Sequence, residues 1–173
     1  MKIIKAMLIV VLFLLSGCAS VTKDIQVDAL SSKSLAEYKT YAWLGRSSVL
    51  HDPEQKWQPP KMDIFGDIRY LIDRELRKKG IFSAVEEPEL AVTFFTGVDM
   101  EAMELKVDDK TKKEILTNVP KAALLVFLID VQTEEAIWVG KATAEIHTNP
   151  TDEVVRERLD YAIKEMFKKM PVK

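Results

Sequence analysis

The sequence has few of the residues from which most catalytic and metal sites are built. It contains one cysteine, two histidines and six glycines, and no two of the glycines are adjacent. It has no glycine-rich phosphate loop, no Gly-x-Ser-x-Gly nucleophile elbow and no His-Glu-x-x-His metal motif. A single cysteine also excludes an intrachain disulfide framework. We therefore expect no enzymatic activity, no catalytic residues and no metal site, and the sequence indicates no specific reaction.

The remaining ligand-type residues do not form a recognisable set. His51 falls in a predicted loop and His147 on the polar face of a predicted strand. Asp108 and Asp109 begin like a calcium loop, but the later acidic ligands at fixed offsets are missing. We interpret the acidic pair as a solvated turn and both histidines as exposed side chains.

The charge balance excludes a further class of partner. The chain has 25 basic and 27 acidic residues, and two of the basic ones lie in the first five positions. A nucleic-acid-binding domain normally carries a basic patch, which is absent here. We expect no nucleic-acid partner and no electrostatic attraction of the body to anionic lipid.

The first eighteen residues form the most informative stretch. Lys2 and Lys5 precede an unbroken apolar run over residues 6–15. A ten-residue helix covers about 15 Å, whereas the hydrocarbon core of a bilayer is about 30 Å thick. The run is therefore typical of a secretory signal rather than of a membrane span.

The end of this run, Leu15-Ser16-Gly17-Cys18, resembles the lipobox of bacterial lipoproteins. The resemblance implies diacylglyceryl transfer to Cys18, cleavage before it and acylation (palmitate-type) of the new amino terminus. The alternative is an unmodified cysteine, either in a soluble secreted protein or buried in the fold. Residue 19 is Ala and not Asp, which in the Gram-negative pattern implies the periplasmic face of the outer membrane. The covalent lipid on Cys18 is then the only cofactor, and the membrane is the first partner.

We divide the chain into a signal peptide (1–17), a lipidated cysteine with a short tether (18–24) and one domain (25–173). Periodicity predicts strands near 25–27, 38–44, 81–85, 90–98, 122–130 and 136–147. It predicts one helix from an Asp63 cap to Gly80 and another from an Asn149 cap to Pro171. The sequence also predicts a long loop over residues 45–62. For residues 99–120 we favour a hairpin extension over the alternative, a short helix.

This order of elements predicts an α+β two-layer sandwich, with two helices packed on one face of a mostly antiparallel sheet. The segment 122–130 is apolar on both faces and is placed centrally in that sheet. Small residues alternate along 136–147, which predicts close packing of the helices on the sheet.

The segment Tyr38-Lys39-Thr40-Tyr41-Ala42-Trp43 after a lipobox resembles the bacterial lipoprotein family called domain of unknown function 4136. The step Ile137-Trp138-Val139-Gly140 and the link from a helix ending at Gly80 to Pro88 agree with it. The resemblance covers about residues 18 to 172. The family carries no established activity and no catalytic residues.

Two functions remain for a domain of this kind. The first is a structural or interaction role in the cell envelope, with an envelope protein as partner. The alternative is a binding module for a small or lipid-like ligand, with Trp57, Trp43 and Met62 as contacts near Phe94 and Phe95. These side chains are also suited to filling a core.

Overall fold

The computed structural model describes residues 21–45, 50–51, 61–100, 102–108 and 110–171. The predicted signal peptide, Cys18 and most of the predicted 45–62 loop, including Trp57, lie outside the described residues. The predictions made for them stay predictions.

Most of the described chain forms strands and two helices. The strands are β1 Gln26–Ser31, β2 Thr40–Trp43, β3 Leu50–His51, β4 Phe82–Ser83, β5 Leu90–Asp99, β6 Met103–Val107, β7 Glu114–Asn118, β8 Lys121–Asp130 and β9 Ala136–Glu145. The helices are α1 Ile64–Lys78 and α2 Asp152–Lys168.

The main sheet has the order β1-β9-β8-β5-β2-β4, and β3 also pairs with β5. The three pairs β1–β9, β9–β8 and β8–β5 are antiparallel, and β8 lies centrally as predicted. β2 and β3 run parallel to β5, and β4 runs parallel to β2. This parallel edge, which we did not predict, follows from α1 lying between β2 and β4, because a helical crossover joins parallel strands.

Both helices cover the same face of the sheet. The strand register places Phe94 and Trp138 on one face. The ring of Phe65 on α1 lies 6.2 Å from that of Phe94, and the ring of Phe167 on α2 lies 5.1 Å from that of Trp138. The predicted α+β two-layer sandwich is confirmed.

Helix α1 begins and ends where the sequence predicts. The Asp63 carboxylate accepts a hydrogen bond of 2.9 Å from the Gly66 N–H, which satisfies one of the free donors of the first turn. Gly80 follows the helix with φ of +79°, a conformation that a residue with a Cβ rarely adopts.

The cap predicted for α2 is wrong. Thr151, not Asn149, caps the helix, and its side chain accepts from the Val154 N–H. Asn149 instead turns the chain ahead of the helix with φ of +49°, a left-handed conformation that Asn tolerates better than most residues. Pro150 consequently lies before the helix rather than at its first position.

Within the 99–120 segment, β6 and β7 form the hairpin that we favoured over a short helix. β6 and β7 pair in register from Met103 opposite Asn118 to Val107 opposite Glu114. The Asp108 side chain accepts from the N–H groups of Lys110 and Thr111 and so closes the turn.

Side chains of the family-like segment 38–43 form hydrogen bonds to α1 and β8. The Tyr41 hydroxyl and the Trp43 indole N–H donate to the same Asp73 oxygen on α1, at 2.5 Å and 2.9 Å. The Tyr38 hydroxyl donates to Asp130 at the end of β8, at 2.6 Å, and this bond raises the pKa of Tyr38 to about 12. The motif thus has a structural role, because its polar atoms hold β2 to α1 and β8.

The Trp-x-Gly step in β9 also has a packing explanation. Both residues face the helices, and the Trp138 side chain is fully buried. A Cβ atom at Gly140 would lie 2.4 Å from Cη2 of Trp138 and 3.0 Å from the Met166 sulfur. The indole and α2 therefore occupy the space that any larger residue at position 140 would need.

We predict that Gly140→Ala lowers the free energy of unfolding by about 1–3 kcal/mol, the usual cost of overpacking a core. Chemical denaturation of the purified protein measures this loss. In a Trp138→Phe background the clashing Cη2 atom is absent, so the added cost of Gly140→Ala should shrink. An equal cost in both backgrounds would show that the indole is not the cause.

Candidate functional site

An apolar cavity of about 200 Å³ lies between the sheet and the N-terminal halves of α1 and α2. The last residues of β5 and β9 and the first residues of β8 line it, so the cavity lies at one end of the sheet. Its apolar lining consists of Ile25, Ile64, Phe65, Ile68, Val98, Ala122, Ala123, Leu124, Ala142, Ala144, Ile146, Pro150, Val155, Leu159 and Ala162.

The cavity exists because small side chains line the sheet where the helices pass over it. The helix-facing positions of β9 change from Trp138 to Ala142 and Ala144 towards this end of the strand. Ala122 of β8 lies directly opposite Ala144. Our expectation of close packing at the small residues is correct at Gly140 and wrong at the two alanines, which leave space.

A nearly buried salt bridge stands at one border of this cavity. The Arg158 guanidinium binds the Asp24 carboxylate with both terminal nitrogens, at 2.8 Å and 2.6 Å. Arg158 also donates to the carbonyl oxygens of Val21 and Glu145, and the Glu145 N–H donates to Asp24 at 2.8 Å. Only 11% of the Arg158 side chain and 16% of the Asp24 side chain are exposed.

These contacts keep Asp24 ionised. Burial disfavours its charge, but the hydrogen bonds and the charge of Arg158, together with the Glu145 N–H, outweigh burial and lower the pKa of Asp24 to about 2. His147 Nε2 lies 3.2 Å from an Arg158 nitrogen and 3.8 Å from Asp24. Because Asp24 neutralises Arg158, the border presents little net positive charge to an anionic ligand.

The predicted contact residues lie elsewhere. Trp43 packs edge-on against Phe94, with ring centroids 6.0 Å apart, and the Arg69 guanidinium sits 4.8 Å above its ring. Met62 is partly buried ahead of α1, and neither Trp43 nor Met62 lines the cavity. Trp57 lies outside the described residues, so the three predicted contacts stay predictions.

Within the described ranges, no three His, Cys, Asp or Glu side chains lie close enough together to hold a metal ion. Neither α1 nor α2 is long and apolar enough to cross a bilayer.

Fold and cavity together define an α+β two-layer sandwich with an apolar space under its helices. The chain belongs to the family described as Domain of unknown function (DUF4136), whose model matches residues 25–172. No curated protein matches the chain.

Solved structures extend the likeness in fold. A DUF4136 family protein from Bacteroides thetaiotaomicron is 9% identical, with 87% of this chain and 99% of that chain covered and a TM-score of 0.57. A variant of PelC from Paraburkholderia phytofirmans, a dodecamer, is 15% identical, with 86% and 99% covered and a TM-score of 0.48. At these identities the first likeness shows the fold alone, and the second, with its lower TM-score, supports no inference about this chain.

The Asp24–Arg158 pair predicts an acid-sensitive contribution to stability. The folded pKa of Asp24, about 2, lies below its ordinary value of 3.8, so the contribution is complete above about pH 4 and is lost as pH falls through 2. We expect Asp24→Asn to cost about 2 kcal/mol at neutral pH and to flatten the acid limb of the stability curve. Denaturation at a series of pH values measures both effects.

Asp28→Asn is the matched control, because the Asp28 side chain is 80% exposed. If both variants follow the same acid profile as the parent protein, the pair does not stabilise the fold.

Proposed function

We propose that this protein is a lipid-anchored protein of the cell envelope whose domain holds an apolar, acyl-like segment in the cavity. The proposal rests on one observation, the apolar lining of the cavity. Apolar side chains form nearly all of it, and the polar side chains of Glu145, His147 and Arg158 are confined to one border. Burial of apolar surface is the dominant favourable term for a ligand in such a site. No catalytic step is part of this role.

The size of the cavity limits what it takes. An apolar cavity of about 150 Å³ is known to bind benzene, whereas pockets for drug-sized molecules usually measure about 300–1,000 Å³. At about 200 Å³, the space suits one apolar segment, such as the end of an acyl chain, rather than a whole lipid.

The polar border of the cavity, at Arg158, indicates that a ligand is selected by its apolar segment and not by its head group. The Arg158 nitrogens already bind Asp24 and two carbonyl oxygens. A carboxylate or phosphate on the ligand would have to displace those partners to bind the same guanidinium. We therefore expect affinity to depend weakly on the charge of the ligand head.

The anchor is proposed from the sequence. Cys18 ends a lipobox-like segment and Ala19, not Asp, follows it. From this we infer attachment to the periplasmic face of the outer membrane in a Gram-negative host. The described chain begins at Val21, whose carbonyl oxygen is bound by Arg158. Three residues span at most about 11 Å, so the domain would stand close to its membrane.

Filling the cavity should abolish ligand binding without unfolding the protein. Ala144→Leu adds three carbons on the helix-facing side of β9, inside the cavity. We expect it to remove the fluorescence gain of cis-parinaric acid, a fatty-acid probe, that the parent protein produces. Ala136→Leu, on the same strand but exposed and outside the cavity, should retain the gain.

Equal probe binding in both leucine variants, each with a native circular dichroism spectrum, would exclude this cavity as the binding site.

The anchor is tested by membrane fractionation. Without the sulfur atom that receives the lipid, Cys18→Ala should appear as a soluble protein or an uncleaved precursor. Ala19→Asp should remain attached to membranes and move from the outer to the inner membrane. Normal outer-membrane recovery of Cys18→Ala would contradict lipid anchoring.

A further inference from the structure

The β6–β7 hairpin carries an apolar face that the described domain leaves uncovered. Met103, Leu105 and Val107 alternate along β6 on one face, and Leu116 of β7 lies directly opposite Leu105. All four side chains are more than half exposed. Exposed apolar residues that cluster in this way mark contact surfaces, whereas single ones do not.

The other face of the hairpin fixes its orientation. Lys106 forms an ion pair of 2.8 Å with Glu145 at the end of β9. Glu104 forms a second ion pair with Lys121 at the start of β8. Because alternate residues point to opposite faces, these two bonds turn the apolar face away from the domain.

The hairpin lies beside the N-terminal segment of the domain. Glu104 and Lys121 line one small hollow together with Lys23 and Asp24. Val21, at the start of this segment, is held by Arg158. Cys18 is three residues earlier and therefore within about 11 Å of Val21, so the proposed anchor and the hairpin belong to the same end of the molecule.

We propose that the apolar face of the β6–β7 hairpin rests on the bilayer to which Cys18 anchors the chain. This inference rests on the proposed anchor but not on the ligand of the cavity. The hairpin lies in the interfacial region and does not cross the membrane, since a two-stranded ribbon has unpaired backbone edges that hydrocarbon cannot satisfy. Lys110, Lys112 and Lys113 at its turn can extend to the phosphate layer while their stems stay among apolar groups.

The test measures contact between the hairpin and lipid in the full-length, anchored protein. Leu105→Cys and Leu30→Cys provide single labelling sites, because the parent chain has only one cysteine, the proposed lipid attachment site. Leu30 is a matched control: it is 73% exposed and Leu105 is 68% exposed, but Leu30 pairs with Val139 in the main sheet, away from the hairpin.

Each variant is labelled with the fluorophore nitrobenzoxadiazole and placed on vesicles of phosphatidylethanolamine and phosphatidylglycerol that contain a nitroxide-labelled phospholipid. With the quencher present, we expect the label at position 105 to lose most of its fluorescence and the label at position 30 to keep it. On vesicles without quencher, the emission of the label at position 105 should shift to the blue.

Equal fluorescence at the two positions in the presence of quencher would overturn the proposal. Self-quenching at position 105 that grows with protein density, without quenching by lipid, would also overturn it and would assign the face to a second copy of this chain. Uptake of label by the parent protein would show that Cys18 carries no lipid, which refutes the anchor and this inference with it.

Discussion

The arrangement of the N-terminal segment, the end of β9 and α2 around the cavity depends on the salt bridge between Asp24 and Arg158. It joins the segment before β1 to α2, and the same two side chains bind the backbone at Val21 and Glu145. An Arg–carboxylate pair with two parallel hydrogen bonds fixes direction as well as distance. The segment from Val21 to Asp24, the end of β9 and the helix over the cavity are therefore held in one arrangement.

The sheet surface beneath the helices is used in two ways. At one end, Trp138 fills the space under α2 so completely that only glycine fits at position 140. At the other end, Ala142 and Ala144 of the same strand leave the cavity. Side chains of different volume on one face of one strand thus give a rigid half, which stabilises the fold, and an open half, which offers an apolar site. A uniform set of large residues would stabilise the domain further and remove the site.

Local patterns predicted the elements well, because each element depends on residues close in the chain. The Asp63 cap, Gly80 and the hairpin turn at Asp108 are all short-range signals. The cap of α2 was misassigned because Asn149 and Thr151 are both good capping residues two positions apart. The salt bridge joins residues 134 positions apart, and no sequence pattern pairs them. The alanines of β9 predicted that a helix packs against them. Whether the helix fills the space above them or leaves a cavity depends on how the sheet, α1 and α2 pack together.

If Cys18 carries the proposed anchor, only three residues in sequence separate the lipid from Val21, and this limits how strong other membrane contacts need to be. In an anchored chain, any contact of the domain with the bilayer is intramolecular, and a short tether gives an effective concentration in the millimolar range. A hairpin face too weak to recruit the free domain can then be occupied most of the time. The anchor would supply residence on the membrane, and the weak contact would supply a preferred tilt of the domain. The two could change independently, because altering the hairpin would change orientation without releasing the protein.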